Sequence, residues 1–245
     1  IDQKDLVAQV LGGYGTPLIG PVPSAAFTAD PAQGIASSTL TAIAKQKLLS
    51  KGWMLWKDGV LQKTTGKGKT LQTTRLAFTL ATGNVPELRS AAEYLRKKWA
   101  EIGAQVTVQI YEQGDLSQNI IRPRKYDALL FGEIIGRELD LFAFWHSSQR
   151  NDPGLNIALY ANSTADKLLE QMRQSGGDSD APYQKFEAEL AKDIPAVFLY
   201  APDFVYTVPK DLAGLDLGLI KTPSDRFLSI VNWHRENDQV WAFLK

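Results

Sequence analysis

A group of charged residues follows directly on an apolar run. Tyr126-Asp127-Ala128-Leu129-Leu130-Phe131 reads as a strand, and Glu133, Arg137, Glu138 and Asp140 come just after it. In open α/β sheets ligands bind beyond the carboxyl ends of the strands. A carboxylate placed there can act as a general acid or base. It can equally hold a ligand's amine or guanidinium through a charge-assisted hydrogen bond. The same charges can also form a solvated salt-bridge cluster on a loop, and no spacing here chooses between these readings. Phe131, Phe142, Phe144 and Trp145 lie in the same region. Core packing is the default for most of them, while one or two can line an apolar pocket for side chains.

Other candidates carry less. The two histidines, His146 and His234, stand in neither a His-x-x-x-His nor a Glu-x-x-His spacing, so each is expected in a structural or surface role. Ser147-Ser148 beside His146 lacks the Gly-x-Ser-x-Gly elbow of hydrolases. Gly66-Lys67-Gly68-Lys69-Thr70 fails the spacing of a phosphate loop and has no apolar strand before it. It reads as a solvated turn. Leu11-Gly12-Gly13-Tyr14-Gly15 follows a helical pattern, not a strand, and so is no dinucleotide fingerprint. The absence of cysteine excludes disulfides, thiolate zinc sites and cysteine nucleophiles. No nucleophile or metal set accompanies Glu133 or Asp140, so neither an enzyme nor a cofactor is expected.

The positioning elements follow an alternating order. Leu6, Val7, Val10 and Leu11 share a helical face over 1–11, and Gly12-Gly13 ends that helix. Gly15-Thr16-Pro17-Leu18-Ile19-Gly20-Pro21-Val22-Pro23 reads as an irregular loop. A helix is predicted over 37–51, then a hairpin tip or mobile loop over 57–74. A strand at 76–80 leads to a helix from Pro86 to about 102, stopped by Gly103. Strands at 106–110 and 126–131 follow, the latter read as central from its apolar run, with a short helix capped by Asp115 between them. Further helices are expected at 141–145, 165–174 and 183–192, a loop at 175–181, and strands at 196–200 and 204–208. Residues 225–245 read as a strand-helix tail after a boundary near Lys221-Thr222-Pro223. This order gives an α/β class with a mostly parallel or mixed sheet.

The 245 residues hold 27 Lys and Arg against 27 Asp and Glu, for a net charge of zero. That leaves no basic excess to neutralise nucleic-acid phosphates, and no long block of one sign marks an anionic membrane surface. No apolar run is long enough to span a bilayer, and no signal peptide is present. The chain opens at Ile1 already inside an amphipathic pattern, so a segment is expected upstream.

Several segments in order resemble the family-5 extracellular solute-binding proteins, which include oligopeptide, dipeptide and nickel-binding members. They are the opening helix with its glycine-proline loop, the helix running from Ala44 to Gly52-Trp53, and the helix with Trp99 and Gly103 followed by Val106 to Ile110. The most specific is Tyr126 to Gly132, then Asp140-Leu141-Phe142-Ala143-Phe144-Trp145-His146-Ser147-Ser148-Gln149, Gly154-Leu155-Asn156 and Tyr160-Ala161-Asn162. Asp193-Ile194-Pro195-Ala196-Val197-Phe198-Leu199-Tyr200 completes the set. The resemblance implies a periplasmic-binding-protein-like II lobe, a mixed sheet flanked by helices. Residues 1–221 would be the second lobe of a two-lobe protein and 222–245 a tail returning to the first. It implies a non-catalytic ABC-importer component that closes on a peptide by hinge bending, or on a sugar, metal chelate or anion. It also implies a membrane permease as partner, a monomer, and an extracytoplasmic, lipid-anchored location. Carried onto this chain, the ligand segment is Phe131, Gly132, Glu133, Ile134, Ile135 and Arg137, with Asp140 beyond and Tyr14 facing the cleft. Peptide binders of this type often place an Asp in that loop for the ligand's α-amine. Here Glu133 stands in, with a longer reach, and Arg137 favours a negative group.

Overall fold

The computed structural model describes residues 1–22, 37–134, 140–174, 180–216 and 223–235. Helix α1 (Gln3–Leu11) begins where the Asp2 carboxylate accepts the Asp5 N–H at 3.0 Å, and it ends at Gly12, which adopts φ +60°. Leu6 and Val7 point inward and are buried. Strand β1 (Gly15–Pro17) occupies part of the stretch expected as irregular loop. Its partner is β8 (Tyr200–Pro202), far away in sequence. The Leu18 N–H extends this seam by donating to Leu199 O at 3.1 Å.

Helix α2 (Ser37–Ser50) leads into a three-stranded antiparallel ribbon of β2 (Met54–Leu55), β3 (Leu61–Thr65) and β4 (Gln72–Arg75). The stretch expected as a hairpin tip or loop is thus the β3–β4 hairpin, with Thr64 opposite Thr73 and their hydroxyls 3.1 Å apart.

Three parallel strands in the order β6-β5-β7 carry the site. Strand β5 (Ala77–Gly83) pairs with β6 (Gln105–Tyr111) over seven residues and with β7 (Ala128–Leu130) over three. Helix α3 (Pro86–Glu101) makes the β5–β6 crossover, with proline in its first turn where a missing N–H costs nothing. Leu80, Ala91, Ala92, Leu95, Val106 and Leu130 form the core between sheet and helices. The strand at 126–131 was expected to be central, but β5 is central and β7 lies at the edge among the described residues. The apolar run misleads because only Leu130 of β7 is buried, while Ala128 and Leu129 are half-buried.

Gly103 stops α3 at φ +87°, and a Cβ there would stand 2.8 Å from Leu61 Cγ. A left-handed backbone strains any L side chain. Gly103→Ala is therefore expected to lower stability by about 1–2 kcal/mol, read as a shifted urea midpoint at constant slope. A midpoint equal to wild type would refute this account of the helix stop.

The helical turn after β6 starts before Asp115, as α4 (Gln113–Asp115), and runs into a π-helical turn over Leu116–Ile121. A second core joins α5 (Phe142–Trp145), α6 (Ser163–Gln174) and α7 (Asp180–Asp193). Phe186 and Leu169 are fully buried there, and Trp145 packs against Tyr160, Phe186 and Phe198.

Of the two strands expected at 196–200 and 204–208, only Tyr200–Pro202 is strand, and 203–209 has no regular structure. In place of a strand-helix tail, the described part of 225–245 has two 3₁₀ turns, Pro223–Phe227 and Ile230–Asn232. Strand β10 (His234–Arg235) follows them and pairs with β9 (Leu212–Ala213). Most of the loop expected at 175–181, and the end of the tail, fall outside the described residues. The chain forms two compact units, Ile1–Ala201 and Pro202–Lys245. The class is α/β, with parallel and antiparallel sheets flanked by helices.

Candidate functional site

Two hydrogen-bonded clips hold the strand that leads into the site. At its start, Asp127 Oδ2 accepts both the N–H and the hydroxyl of Thr79 at 2.9 Å each, and these bonds hold its carboxyl below the usual range. At its end, the buried Thr82 hydroxyl donates to Leu130 O at 3.0 Å. The chain then leaves the sheet as the irregular, exposed stretch 131–134. Phe131 keeps 46% of its surface and Ile134 81%. The backbone groups of Gly132, Glu133 and Ile134 make no hydrogen bond among the described residues. No atom comes within 4 Å of where a Cβ on Gly132 would lie, so the main chain there can be approached closely.

Glu133 has no hydrogen bond or ion pair among the described residues. Desolvation raises its carboxyl to about 7. Its side chain is nonetheless exposed. The two facts are reconciled if the carboxyl sits in a concave wall, where water reaches it but protein fills much of the surrounding volume. The accessible surface then argues for a smaller rise than full burial would give. Such a carboxylate gains most from an incoming cation or hydrogen-bond donor.

The other expected site residues lie in different settings. Asp140 accepts the Phe142 N–H at 3.1 Å and pairs with Arg173, whose guanidinium lies 4.0 Å over the Phe142 ring. Its bonds in this structure anchor α5. Tyr14 is 64% exposed on the turn between α1 and β1, with no hydrogen bond or ring contact to 131–134 among the described residues. Ile135, Arg137 and Glu138 fall outside the described residues. Phe142 and Phe144 pack against the second core, to which Trp145 belongs, which leaves Phe131 as the exposed aromatic of that group.

His146 takes a structural position. Its ring stacks on Phe142 with centroids 4.0 Å apart, and Nδ1 accepts the Ser148 N–H at 3.1 Å. In the neutral ring the proton therefore sits on Nε2, which faces Glu170 at 3.5 Å and Asp166 at 3.9 Å. Ser147 Oγ donates to Asp166 at 2.6 Å. These bonds cap the short turn at Ser147–Gln149 and the start of α6.

Reading residue types missed the exposed main chain of 132–134, which no side chain signals, and the Thr79 and Thr82 clips, which depend on strand pairing. It also missed Asn156, fully buried and bonded to Trp145, His146 and Tyr160. A cavity of about 140 Å³ lies elsewhere, between the start of α1, α2 and α3, lined by Leu40, Ala44, Trp99 and Ile102 among others. It is far smaller than the pockets that take drug-sized ligands. No helix among the described residues is long and apolar enough to cross a membrane.

The chain is 28% identical over 222 residues to the oligopeptide-binding protein AppA of Bacillus subtilis (strain 168), covering 87% of this chain and 39% of that protein. It is 26% identical to Protein XP55 of Streptomyces lividans, covering 88% of this chain and 38% of that one. It thus spans about two fifths of the length of these curated relatives. The solved structure of AppA from Bacillus subtilis in complex with a nonapeptide superposes with TM-score 0.69 at 26% identity, over 97% of this chain and 46% of that one. NikZ from Campylobacter jejuni in complex with Ni(L-His) shares the fold, with TM-score 0.65 at 24% identity over 96% and 46%. The pattern of the bacterial extracellular solute-binding proteins, family 5 (middle region), matches residues 1–154. The match spans more than half of the chain, and the chain therefore belongs to the bacterial extracellular solute-binding proteins, family 5.

Proposed function

We propose that this chain supplies one ligand-binding lobe of the substrate-binding component of an ABC importer, which holds peptides in a cleft between two lobes and closes by hinge bending. Residues 1–221 form this lobe and 222–245 return to the other. The observation that carries the reading is the exposed main chain of Gly132, Glu133 and Ile134 after β7, which makes no hydrogen bond among the described residues. An extended peptide can add to such a segment through main-chain bonds that ignore its sequence, and water-filled side-chain pockets tolerate variety. The similarity to AppA, solved with a nonapeptide, supports peptide as the ligand class.

In this reading Phe131, Gly132, Glu133, Ile134, Ile135 and Arg137 line the cleft, Tyr14 faces it, and Asp140 holds the wall behind. The component performs no catalysis. It works outside the cytoplasm as a lipid-anchored monomer and delivers its ligand to a membrane permease. Native mass spectrometry of the full-length protein, purified gently from its host, tests this. A ladder of adducts with peptide masses is the expected result. A single non-peptide adduct would reassign the ligand class. A bare protein that also ignores a peptide library would defeat the binding role.

A further inference from the structure

The net charge of zero conceals a strong local imbalance. Between residues 45 and 75 the chain carries Lys45, Lys47, Lys51, Lys57, Lys63, Lys67, Lys69 and Arg75, against the single carboxylate of Asp58. The cations are spaced singly among polar and apolar residues, so no block of one sign is visible in sequence. The fold gathers them onto the end of α2 and the β2-β3-β4 ribbon. Arg75 is neutralised by Asp58 at 2.6 Å. None of the seven lysines makes an ion pair among the described residues, and five of them (Lys47, Lys51, Lys57, Lys67 and Lys69) are exposed.

The same ribbon exposes large apolar side chains. Met54 keeps 59% of its surface, Leu55 53%, Trp56 52% and Leu71 61%. Every residue from 64 to 75 is exposed, so both faces of the β3–β4 hairpin stand in solvent and form no groove. We infer that this ribbon is a membrane-contact element that lies on an anionic phospholipid surface. Its lysines meet the headgroups, and Trp56 and Leu71, which lie outside the strands, enter the headgroup–acyl boundary with one of Met54 and Leu55, whose side chains point to opposite faces of β2. Each lysine near an anionic leaflet adds attraction that falls off within a Debye length. Tryptophan favours the membrane–water boundary, and long lysine stems keep their charge in water while their methylenes lie along apolar surface.

The charge balance favours lipid over other acidic partners when taken with the apolar side chains. A phosphodiester strand would use the lysines and could stack a base on Trp56, but would gain nothing from exposed Met54, Leu55 and Leu71. A ribbon exposed on both faces suits a flat, deformable surface, and an acidic protein as partner is an outcome of the test below. This inference does not depend on what the cleft binds.

The test uses the full-length protein with any lipid-modified terminus removed, mixed with vesicles of pure phosphatidylcholine or of phosphatidylcholine with 30% phosphatidylglycerol. Partitioning onto the anionic vesicles is expected to be at least about tenfold stronger, to weaken steeply between low and high salt, and to blue-shift tryptophan emission. The variant Lys57→Gln/Lys63→Gln/Lys67→Gln/Lys69→Gln is expected to lose at least about tenfold of that partitioning. Trp56→Ala/Leu71→Ala should remove the emission shift while keeping the salt dependence. Equal partitioning onto both vesicle types would overturn the inference, as would wild-type binding by the quadruple variant or capture of an acidic protein without vesicle binding. If the quadruple variant folds poorly, Lys69→Gln, at an exposed turn position, decides the matter: a loss of about twofold or more is expected, and wild-type partitioning would overturn the inference.

Discussion

Asn156→Ala is expected to lower the unfolding free energy of the unit spanning 1–201 by about 4 kcal/mol, from lost and unsatisfied buried hydrogen bonds. Asn156 is fully buried. Its Nδ2 donates to Trp145 O at 3.2 Å, His146 O at 3.1 Å and Tyr160 O at 3.0 Å, while Oδ1 accepts the Tyr160 N–H at 3.1 Å. Alanine removes all four bonds and leaves the Trp145 and Tyr160 main-chain groups buried without partners. An unsatisfied buried group costs about 1–3 kcal/mol, more than the net worth of the bond itself. Asn162→Ala is the comparison: its Oδ1 accepts the Thr164 and Ala165 N–H groups at 2.8 and 3.2 Å at the start of α6, and its Nδ2 donates to Asp193 and Glu189 at 2.7 and 3.2 Å, where water can replace the lost partners. Loss of such a cap costs about 1 kcal/mol. Urea unfolding followed by tryptophan fluorescence separates the two. If Asn156→Ala cost no more than Asn162→Ala, Asn156 would not be the hub of the second core.

The second large effect concerns ligand affinity. Under the proposed function, Glu133 meets the α-amine of a bound peptide, and Glu133→Ala should weaken binding by about 2–5 kcal/mol. The exposure of the side chain places the value toward the lower end. The sign with pH follows from a carboxyl raised to about 7 in the free protein. Above that pH it is ionised and pairs with the ammonium, so affinity is full. As pH falls through the raised range the ligand must displace a proton, and affinity drops by at most about tenfold per unit, toward the level of Glu133→Ala. Glu133→Gln should be weak and flat over the same range. Calorimetric titrations between pH 5 and 8 read this directly. Affinity that rises on acidification would mean that the protonated carboxyl donates to a ligand carbonyl or meets an anionic ligand. A flat wild-type profile would remove Glu133 from the site.

Stability moves the opposite way. A carboxyl whose folded pKa lies above its unfolded value opposes folding when ionised. That cost is present above about pH 7 and is relieved as pH falls toward 4.5.

Local signals made much of the fold legible. Proline at the first turn and glycine at the end fixed the limits of α3, and helical spacing placed α1, α2, α6 and α7. What failed were features set by distant partners. Gly15-Thr16-Pro17 looks like a loop because proline and glycine break local structure, yet it forms β1 because the chain at Tyr200–Pro202 lies beside it. The run at 204–208 looks like a strand by composition but finds no partner among the described residues. The order β6-β5-β7 could not be read because an apolar run reports burial and not its neighbours.

The candidate site divides in the same way. Position beyond a strand pointed to 131–134, and charge pointed to Glu133. Asp140 has the right residue type in the right stretch, yet its bonds go to Phe142 and Arg173. Sequence also hid the basic ribbon, because single lysines spaced along a chain give no block until antiparallel pairing brings them together.

The unequal ladders of the parallel sheet also set an order of assembly. Strands β5 and β6 meet across 28 residues and share seven paired positions, with α3 packed locally between them. Strand β7 joins across 48 residues and shares only three. Loop-closure entropy and the shorter ladder both place the β5-α3-β6 unit first and β7 last. With the shortest ladder, β7 is the strand of this sheet at which local opening is expected first, held against it by the Thr79 and Thr82 clips. Under the proposed function the ligand segment therefore follows the strand with the shortest ladder of its sheet. A peptide bonded to 132–134 would close that opening, coupling the ordering of β7 to occupancy of the cleft.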